Sequence, residues 1–367
     1  MQSGAQLTKA EVDEDAQAVK APDVDALLPL QKPDAEKLSL IARLVHLPWL
    51  MYSLYLFVAA TAMYLVGVLL VFPRYLLGLN HALLPVAEWL VWYSGVPLLT
   101  GITFAAADFF IFFERKRPVR RYREESMRDA KVTVALTAYN DEDSIAAAVE
   151  NFLSHHRVER VIVVSNNSTD RTFENAEKAG AIVVNEERQG YGRCVYRCYL
   201  EAMKRSTSDL IVLCEGDRTF RAADIDKLVT FVPHTDIVNG TRTVETLREQ
   251  KTQLTTFMFY GNLFVAKLLE AKYLGRATLT DVGSTYKLVR RRALARLLPQ
   301  LNPEVNLEFN AYFMDKALEA GLTLIECPVT FHPRVGESKG GNTDNFRALH
   351  VGLEMMRGIT FGWKKAA

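Results

Sequence analysis

Glu215, Gly216 and Asp217 place two carboxylates on either side of a glycine, directly after the apolar run at 209–214. Carboxylates at a strand end can hold a divalent cation, Mg²⁺ or Mn²⁺, whose remaining ligands are a diphosphate and water. Three other polar turns follow apolar runs in the same way. They are Thr137-Ala138-Tyr139-Asn140-Asp141-Glu142, Ser165-Asn166-Asn167-Ser168-Thr169-Asp170 and Arg188-Gln189-Gly190-Tyr191-Gly192. Singly, each has a plain structural explanation. Asn-Ser-Thr-Asp caps helices, a pair of glycines makes a turn, and two acids beside a glycine form a solvated bend. All of them on one edge of one sheet point to a ligand site.

The elements that must position these turns are short apolar runs. VTVALT (132–137), VERVIVV (158–164), AIVVN (181–185) and DLIVLC (209–214) read as strands, each buried on both faces. Helical stretches separate them at about 142–156, 170–179 and 191–206. Such alternation predicts an α/β domain with a mostly parallel, Rossmann-like sheet, which binds ligands at the carboxyl ends of its strands.

Upstream the composition changes. Residues 47–73 contain no Asp, Glu, Lys, Arg or His, and 89–107 are likewise uncharged, followed after Asp108 by FFIFF. About 20 apolar residues span a bilayer, so a transmembrane hairpin is expected, with spans about 47–72 and 89–113. The competing reading is two buried core helices. Trp49, Tyr52, Trp89, Trp92 and Tyr93 lie where interfacial aromatics lie. Arg115, Lys116, Arg117, Arg120, Arg121 and Arg123 follow the second run, whereas the connecting loop, 74–88, offers Arg74, His81 and Glu88. The positive-inside rule then places both termini and residues 114–367 in the cytoplasm. The same basic run could be a nucleic-acid patch, but beside a span it fits a topology signal touching anionic lipid; no nucleic-acid partner is expected.

The averages conceal this division. The 367 residues carry 44 basic and 43 acidic side chains, a net charge of +1, with 49% hydrophobic and 24% charged residues. That balance excludes a disordered chain, a collagen-like repeat and a protein held to nucleic acid by a global field. Residues 1–46 are expected as a mobile acidic tail with a short amphipathic lead-in at 38–46, without a cleaved signal peptide. Cys194, Cys198, Cys214 and Cys327 show no zinc-ligand spacing and are expected as reduced thiols packed in a cytosolic core.

In order and spacing, LTAYNDEDSI, VVSNNSTD, RQGYGR, CEGDRTF and NGTR resemble family 2 glycosyltransferases with the A-type nucleotide-sugar fold. TDVGSTYKLVRRRAL, NLEFNAYFMDKALEAGLTLIECPVTF and HPRVGESK resemble the dolichyl- and polyprenyl-phosphate branch of that family. The likeness covers about 130–340. The Q-x-x-R-W string of processive synthases is absent, which argues against a polymerising enzyme.

The resemblance implies roles by position. Thr137, Tyr139 and Asp141 match the motif that cradles the base and ribose of a nucleotide, with Asp141 where glutamate is usual and Thr137 where proline is usual. Asn166, beside Val164, matches an acidic residue that bonds the base; an amide offers both donor and acceptor, leaving UDP and GDP open. Gln189 and Gly190 belong to the third turn and lean slightly toward UDP. Glu215, Gly216, Asp217 and Thr219 match the metal-binding segment, with glutamate at its first position, so Asp217 is the safer direct ligand. Arg242, Arg334 and Lys339 match cations that neutralise the diphosphate.

Loss of a diphosphate from a nucleotide sugar fits these parts, because Arg, Lys and a divalent ion stabilise charge on the leaving group. A lipid phosphate acceptor is already ionised, whereas a hydroxyl acceptor needs a carboxylate base. Asp281 and Glu308 are the candidates for that base; a turn-capping aspartate and a salt-bridged helix glutamate are their structural alternatives. Segments 254–274 and 346–363 fit either interfacial helices or helices packed on the core. The expected organisation is a tail and lead-in at 1–46, a hairpin at 47–113, a basic linker at 114–130, a transferase domain at 131–341 and a juxtamembrane helix at 342–367. The expected protein is an integral membrane, metal-dependent, inverting transferase acting on a polyprenyl phosphate or another lipid acceptor, with a homo-oligomer left open. A non-catalytic membrane scaffold is the alternative from another class.

Overall fold

A computed structural model describes residues 44–45, 47–116, 127, 129–336 and 345–364. The tail before residue 44, the arginines at 117, 120, 121 and 123, and Lys339 lie outside the described residues, so the expectations for them stand as they were. The chain divides into two units. One falls within Gln31–Arg120 and Lys267–Thr278, the other within Arg121–Ala266 and Leu279–Ala367.

In the first unit, α1 (Trp49–Leu69) runs on into α2 (Val71–Leu76). After a short turn come α3 (Asn80–Tyr93), α4 (Gly95–Ala106), a π-helical segment (Ala107–Phe112) and α5 (Phe113–Lys116). The two continuous stretches, Trp49–Leu76 and Asn80–Phe112, have mean hydropathies of 2.3 and 1.7 and are long and apolar enough to cross a bilayer. In the most apolar 18-residue window of each only 11% is buried, and Phe110 and Trp92 are 89% and 81% exposed, which argues against core helices. The loop expected at 74–88 is itself largely helical, and only 77–79 separates the two stretches. Neither proline breaks the helix: Pro73 lies in the first turn of α2, and Pro85 lies inside α3. Each removes one backbone donor, a smaller loss than leaving apolar backbone unbonded.

One polar contact closes the hairpin. Asp108 is wholly buried, and its Oδ2 accepts a hydrogen bond from the Leu50 N–H at 2.8 Å. That N–H is one of the donors left unpaired at a helix start. The Asp108 Oδ1 pairs with Lys116, whose Nζ also donates to the Leu47 carbonyl at 2.6 Å. At Gly67 the backbone of α1 comes so close to Val91 and the Ala87 carbonyl that a Cβ would leave 2.8 Å to the valine side chain.

The second unit alternates strand and helix. Its elements are β1 (Val132–Ala138), α6 (Ile145–Leu153), β2 (Val158–Ser165), α7 (Thr172–Lys178), β3 (Ile182–Asn185), α8 (Tyr191–Arg205), β4 (Leu210–Glu215), α9 (Ile225–Phe231), β5 (Ile237–Thr241), α10 (Thr256–Lys272), β6 (Lys287–Arg290), α11 (Arg291–Leu297), α12 (Phe309–Glu319), β7 (Leu324–Pro328) and α13 (Asn345–Phe361). The end of α10 belongs to the other unit. One seven-stranded sheet has the order β3-β2-β1-β4-β6-β5-β7, parallel except for β6, which runs against β4 and β5. The mostly parallel α/β architecture is therefore present.

Burial on both faces does not hold for every strand. β1 is buried throughout, but β3 is the sheet edge and half-buried, and β2 starts exposed. Edge position explains this, since β3 has a strand on one side only. The four cysteines are free and buried as expected.

Beyond the carboxyl ends of β1, β2 and β4 the chain bends through left-handed backbone at Asn140 (φ 51°), Asn167 (φ 55°) and Arg218 (φ 66°). A side-chain-bearing residue in that conformation costs about 1 kcal/mol or more, and three of them fall along one sheet edge.

Candidate active site

Glu215 ends β4 and stands in register with Thr137 of β1; the Gly216 N–H donates to the Thr137 carbonyl at 2.9 Å. Asp217 follows at 1% exposure. Its Oδ1 accepts the Thr219 N–H (3.0 Å) and hydroxyl (2.6 Å). Its Oδ2 is buried with no hydrogen-bond donor and has only the Arg334 guanidinium, at 3.4 Å, nearby. One oxygen of Glu215, Oε1, accepts the Thr285 hydroxyl at 2.8 Å. Burial, and next the charge of Glu215, push the Asp217 carboxyl up to about 6, against the pull of Arg334. A desolvated carboxylate with an unsatisfied oxygen beside a second carboxylate is a donor set that fits a hard divalent cation.

Arg334 reaches this pair because the chain after β7 is laid along the 215–219 turn. The His332 N–H donates to the Thr219 carbonyl (2.9 Å) and the Val335 N–H to the Asp217 carbonyl (3.2 Å). Arg334 Nη2 donates to Asp141 Oδ1 at 2.8 Å while its other arm faces Asp217. It thus bridges two turns from opposite ends of the motif set. Burial raises the Asp141 carboxyl above its ordinary range, and Arg334 only partly offsets this. The second oxygen of Asp141 accepts the Tyr139 N–H at 2.9 Å, tightening its own turn.

The third turn is held by side-chain amides. Asn166 Oδ1 accepts the Gly190 N–H (3.1 Å) and Asn306 Oδ1 accepts the Tyr191 N–H (2.8 Å). Because a backbone N–H can only donate, Asn166 must turn its oxygen to Gly190 and present its NH₂ elsewhere. Gly192 packs on the Val305 carbonyl so closely that no Cβ fits there.

These residues share one cavity of about 500 Å³ within this unit, a size that suits a small-molecule ligand. Thr137, Tyr139, Asp141, Asn166, Gln189, Gly190, Glu215, Asp217, Arg242 and Arg334 line it. Val164, Gly216 and Thr219 do not. Val164 is core within β2 and takes the Cys194 thiol on its carbonyl, Gly216 is a backbone link, and Thr219 holds Asp217 from behind. Glu308 precedes α12, off the cavity wall, although Leu307 and Asn310 are on it.

Asp281, a candidate base from the sequence, is held in a buried ion pair. It is 1% exposed, and Arg242 grips both of its oxygens, Nε to Oδ2 at 2.7 Å and Nη2 to Oδ1 at 2.8 Å. The Gly283 N–H adds a third donor at 3.1 Å. Burial alone would raise its carboxyl, but the ion pair with Arg242 overrides this and holds it below the ordinary range. A carboxylate so placed sets the position of Arg242. Glu326 on β7 fixes this turn, taking the N–H groups of Thr280 (2.7 Å) and Asp281 (3.0 Å).

The rest of the lining is largely apolar, with Gln253, Asn262 and Arg347 among its residues. α10 and the residues before it contribute Leu254, Phe257, Met258 and Val265, and α13 contributes Val351 and Met355. Both segments therefore face the cavity with one side, while Tyr260, Phe264, Phe346 and Leu353 remain exposed on others. Packing on the domain and an uncovered apolar face occur together in the same helices. Tyr191, Thr285 and Asn310 were inside recognised strings but had no role attached. Tyr191 and Asn310 line the cavity, and all three are joined by hydrogen bonds.

The sequence family described as glycosyl transferase family 2 matches residues 133–298. An uncharacterized glycosyltransferase of Mycobacterium tuberculosis is 37% identical over 207 residues, 56% of this chain and 87% of that protein. The low-salt glycan biosynthesis hexosyltransferase Agl6 of Haloferax volcanii is 29% identical over 56% of this chain, and the match spans about half of it, 49%. The dolichyl-phosphate hexose transferase of the same organism is 28% identical over 57% of this chain and 86% of that protein. Among solved structures, glucosyl-3-phosphoglycerate synthase from Mycobacterium tuberculosis with Mn²⁺, UDP and glucosyl-3-phosphoglycerate matches at 16% identity, covering 68% of this chain and 87% of that one, with a TM-score of 0.42.

Proposed function

The chain belongs to glycosyl transferase family 2, and on that premise we propose that it transfers a single sugar, with inversion, from a UDP- or GDP-sugar to a polyprenyl phosphate. The observation that carries this reading is the mixed lining of the cavity: buried carboxylates and arginines from the strand-end turns, and a largely apolar surface from α10 and α13 interrupted by Gln253, Asn262 and Arg347. A nucleotide sugar and a water-soluble acceptor would leave that apolar surface unexplained. The dolichyl-phosphate hexose transferase among the relatives supports the same acceptor class.

The chemistry follows from the residues. Asn166 directs amide N–H donors toward a base carbonyl, which both uracil and guanine offer. Glu215 and Asp217 would hold a divalent cation, Mg²⁺ or Mn²⁺, which supplies electrostatic stabilisation to a diphosphate. Arg334, now shared between Asp141 and Asp217, and Arg242, oriented by Asp281, add fixed positive charge where the leaving group gains it. An acceptor phosphate oxygen attacks the anomeric carbon as its bond to the diphosphate breaks, and the diphosphate departs with the electron pair. No proton moves. The engagement of both Asp281 oxygens favours this acceptor over a lipid hydroxyl, which would need a base.

The membrane hairpin completes the proposal. Lys116, Lys272 and Arg276 line one small cavity with Pro48, beside the start of α1 and the end of α5. Cations gathered at that end support a cytoplasmic location for it. The two apolar stretches would cross the membrane and return, with the transferase unit on the cytoplasmic side.

The test is to supply the purified full chain in liposomes with radiolabelled UDP- and GDP-sugars, Mg²⁺ or Mn²⁺, and polyprenyl phosphate. Lipid-extractable label released by mild acid is the expected result. Label stable to mild acid identifies a glycoside and a hydroxyl acceptor instead, and no label with any donor overturns the transferase reading.

A further inference from the structure

Each carboxylate of the Glu215–Asp217 pair has one oxygen tied by a threonine hydroxyl. Thr219 binds Asp217 Oδ1 at 2.6 Å, and Thr285 binds Glu215 Oε1 at 2.8 Å. The first clasp is local, two residues along the same turn. The second comes from a different part of the chain and continues inward.

The direction of every hydrogen bond behind Thr285 can be assigned. Thr285 has one hydroxyl proton, and Glu215 takes it, so the 2.9 Å bond between Thr285 and Tyr191 has the phenol as donor. The Tyr191 oxygen is then an acceptor, and Asn310 Nδ2 donates to it at 2.9 Å. The Asn310 amide cannot turn over, because its Nδ2 also donates to the Gly283 carbonyl at 3.3 Å, which can only accept, while its Oδ1 accepts from Lys287 Nζ at 3.0 Å. Lys287 is wholly buried and anchored also on the Ser284 carbonyl. The donors therefore all point one way, from Lys287 through Asn310, Tyr191 and Thr285 to Glu215.

We propose that Lys287, Asn310, Tyr191 and Thr285 are positioning residues that fix Glu215 by its Oε1, so that it offers a single oxygen, Oε2, to a divalent cation. The proposal rests on the reading of Glu215 and Asp217 as the cation-binding pair. It also explains the glutamate: the longer side chain has one more rotatable bond than aspartate, and the clasp removes that freedom before a ligand arrives. Burial pulls the Lys287 amine down to about 7 against the opposing charge of Asp281, and in either protonation state it keeps an N–H to donate to Asn310.

Mn²⁺ binding to the full chain in detergent, without donor, tests this by the electron paramagnetic resonance signal of free Mn²⁺. Thr285→Val preserves volume and removes only the hydroxyl; Lys287→Met removes the far end of the chain. Each is expected to weaken Mn²⁺ binding by about 10–100-fold. Thr285→Ser should restore it to within a few-fold. In the transferase assay the Mn²⁺ concentration for half-maximal rate rises while kcat at saturating Mn²⁺ is kept. Unchanged Mn²⁺ affinity in a Thr285→Val protein with a wild-type Tm overturns the proposal. A wild-type protein with no Mn²⁺ affinity overturns instead the cation-binding reading of the pair, and the proposal with it.

Discussion

The two walls of the cavity are built by opposite means. The polar wall consists of strand-end turns whose side chains are each fixed by directional bonds: Asp217 by Thr219, Asp141 by Tyr139 and Arg334, Arg242 by Asp281. The apolar wall consists of helix faces, where Met258 and Met355 are buried but Phe257 remains 44% exposed. One wall specifies geometry, and the other supplies apolar area with little direction. A phosphate-and-sugar donor needs the first, and a flexible isoprenoid chain of variable contour needs only the second.

This contrast can be broken by substitution, beginning where the effect should be largest. Asp217→Ala is expected to lower the transferase rate by about 1,000-fold. It should leave the Tm unchanged or higher without divalent ion, because a buried oxygen with no donor is a cost to the folded state. Full activity in this variant would show that the cation site lies elsewhere. Arg334→Met comes next, at about 100-fold in kcat/KM for the donor, measured at saturating acceptor. On the other wall, Met258→Glu should raise the acceptor KM by about 10-fold and leave the donor KM unchanged, since burying an unpaired charge against an alkyl chain is unfavourable. An equal effect on both substrates would mean the walls are not separate sites.

The smallest effect is a pH dependence. The Asp217 carboxyl titrates at about 6 in the folded chain and near 3.8 ordinarily. Between those values the unfolded chain has lost its proton and the folded chain retains it. Stability without divalent ion therefore falls as pH rises through that window. Cation binding needs the ionised form, so Mn²⁺ affinity should drop a few-fold as pH is lowered through about 6. Thermal scans with and without Mn²⁺ at pH 5 and 7 would show the larger Mn²⁺-induced rise at pH 7, and Asp217→Asn should abolish that difference.

What was legible in the sequence follows the same division. Strands β1 to β4 and their turns could be read because apolar runs ending in Gly, Asn and Asp state both the element and its end. The separation of 133–141 from 334 in sequence concealed the Arg334–Asp141 contact, and nothing local marks Asp281 as the partner of Arg242. Thr285, Tyr191 and Asn310 were invisible as a set because hydrogen-bond chains between strand, helix and turn have no sequence period. Segments 254–274 and 346–363 were ambiguous for a physical reason. A helix that faces a cavity on one side and is uncovered on another has the same composition as an interfacial helix.

The Asp108 carboxylate, finally, bears on how the hairpin enters a membrane. An aspartate in a span is expensive in lipid, but this one lies eight residues before its partner Lys116 in the same helical stretch. Were the stretches to cross a bilayer, Asp108 would enter it with a counter-ion from the helical turn that follows the second stretch. The first stretch, by contrast, has an open donor at Leu50 that only Asp108 fills. The two stretches are thus interdependent: the first turn of α1 gains a hydrogen-bond acceptor from the far end of the chain's second apolar stretch.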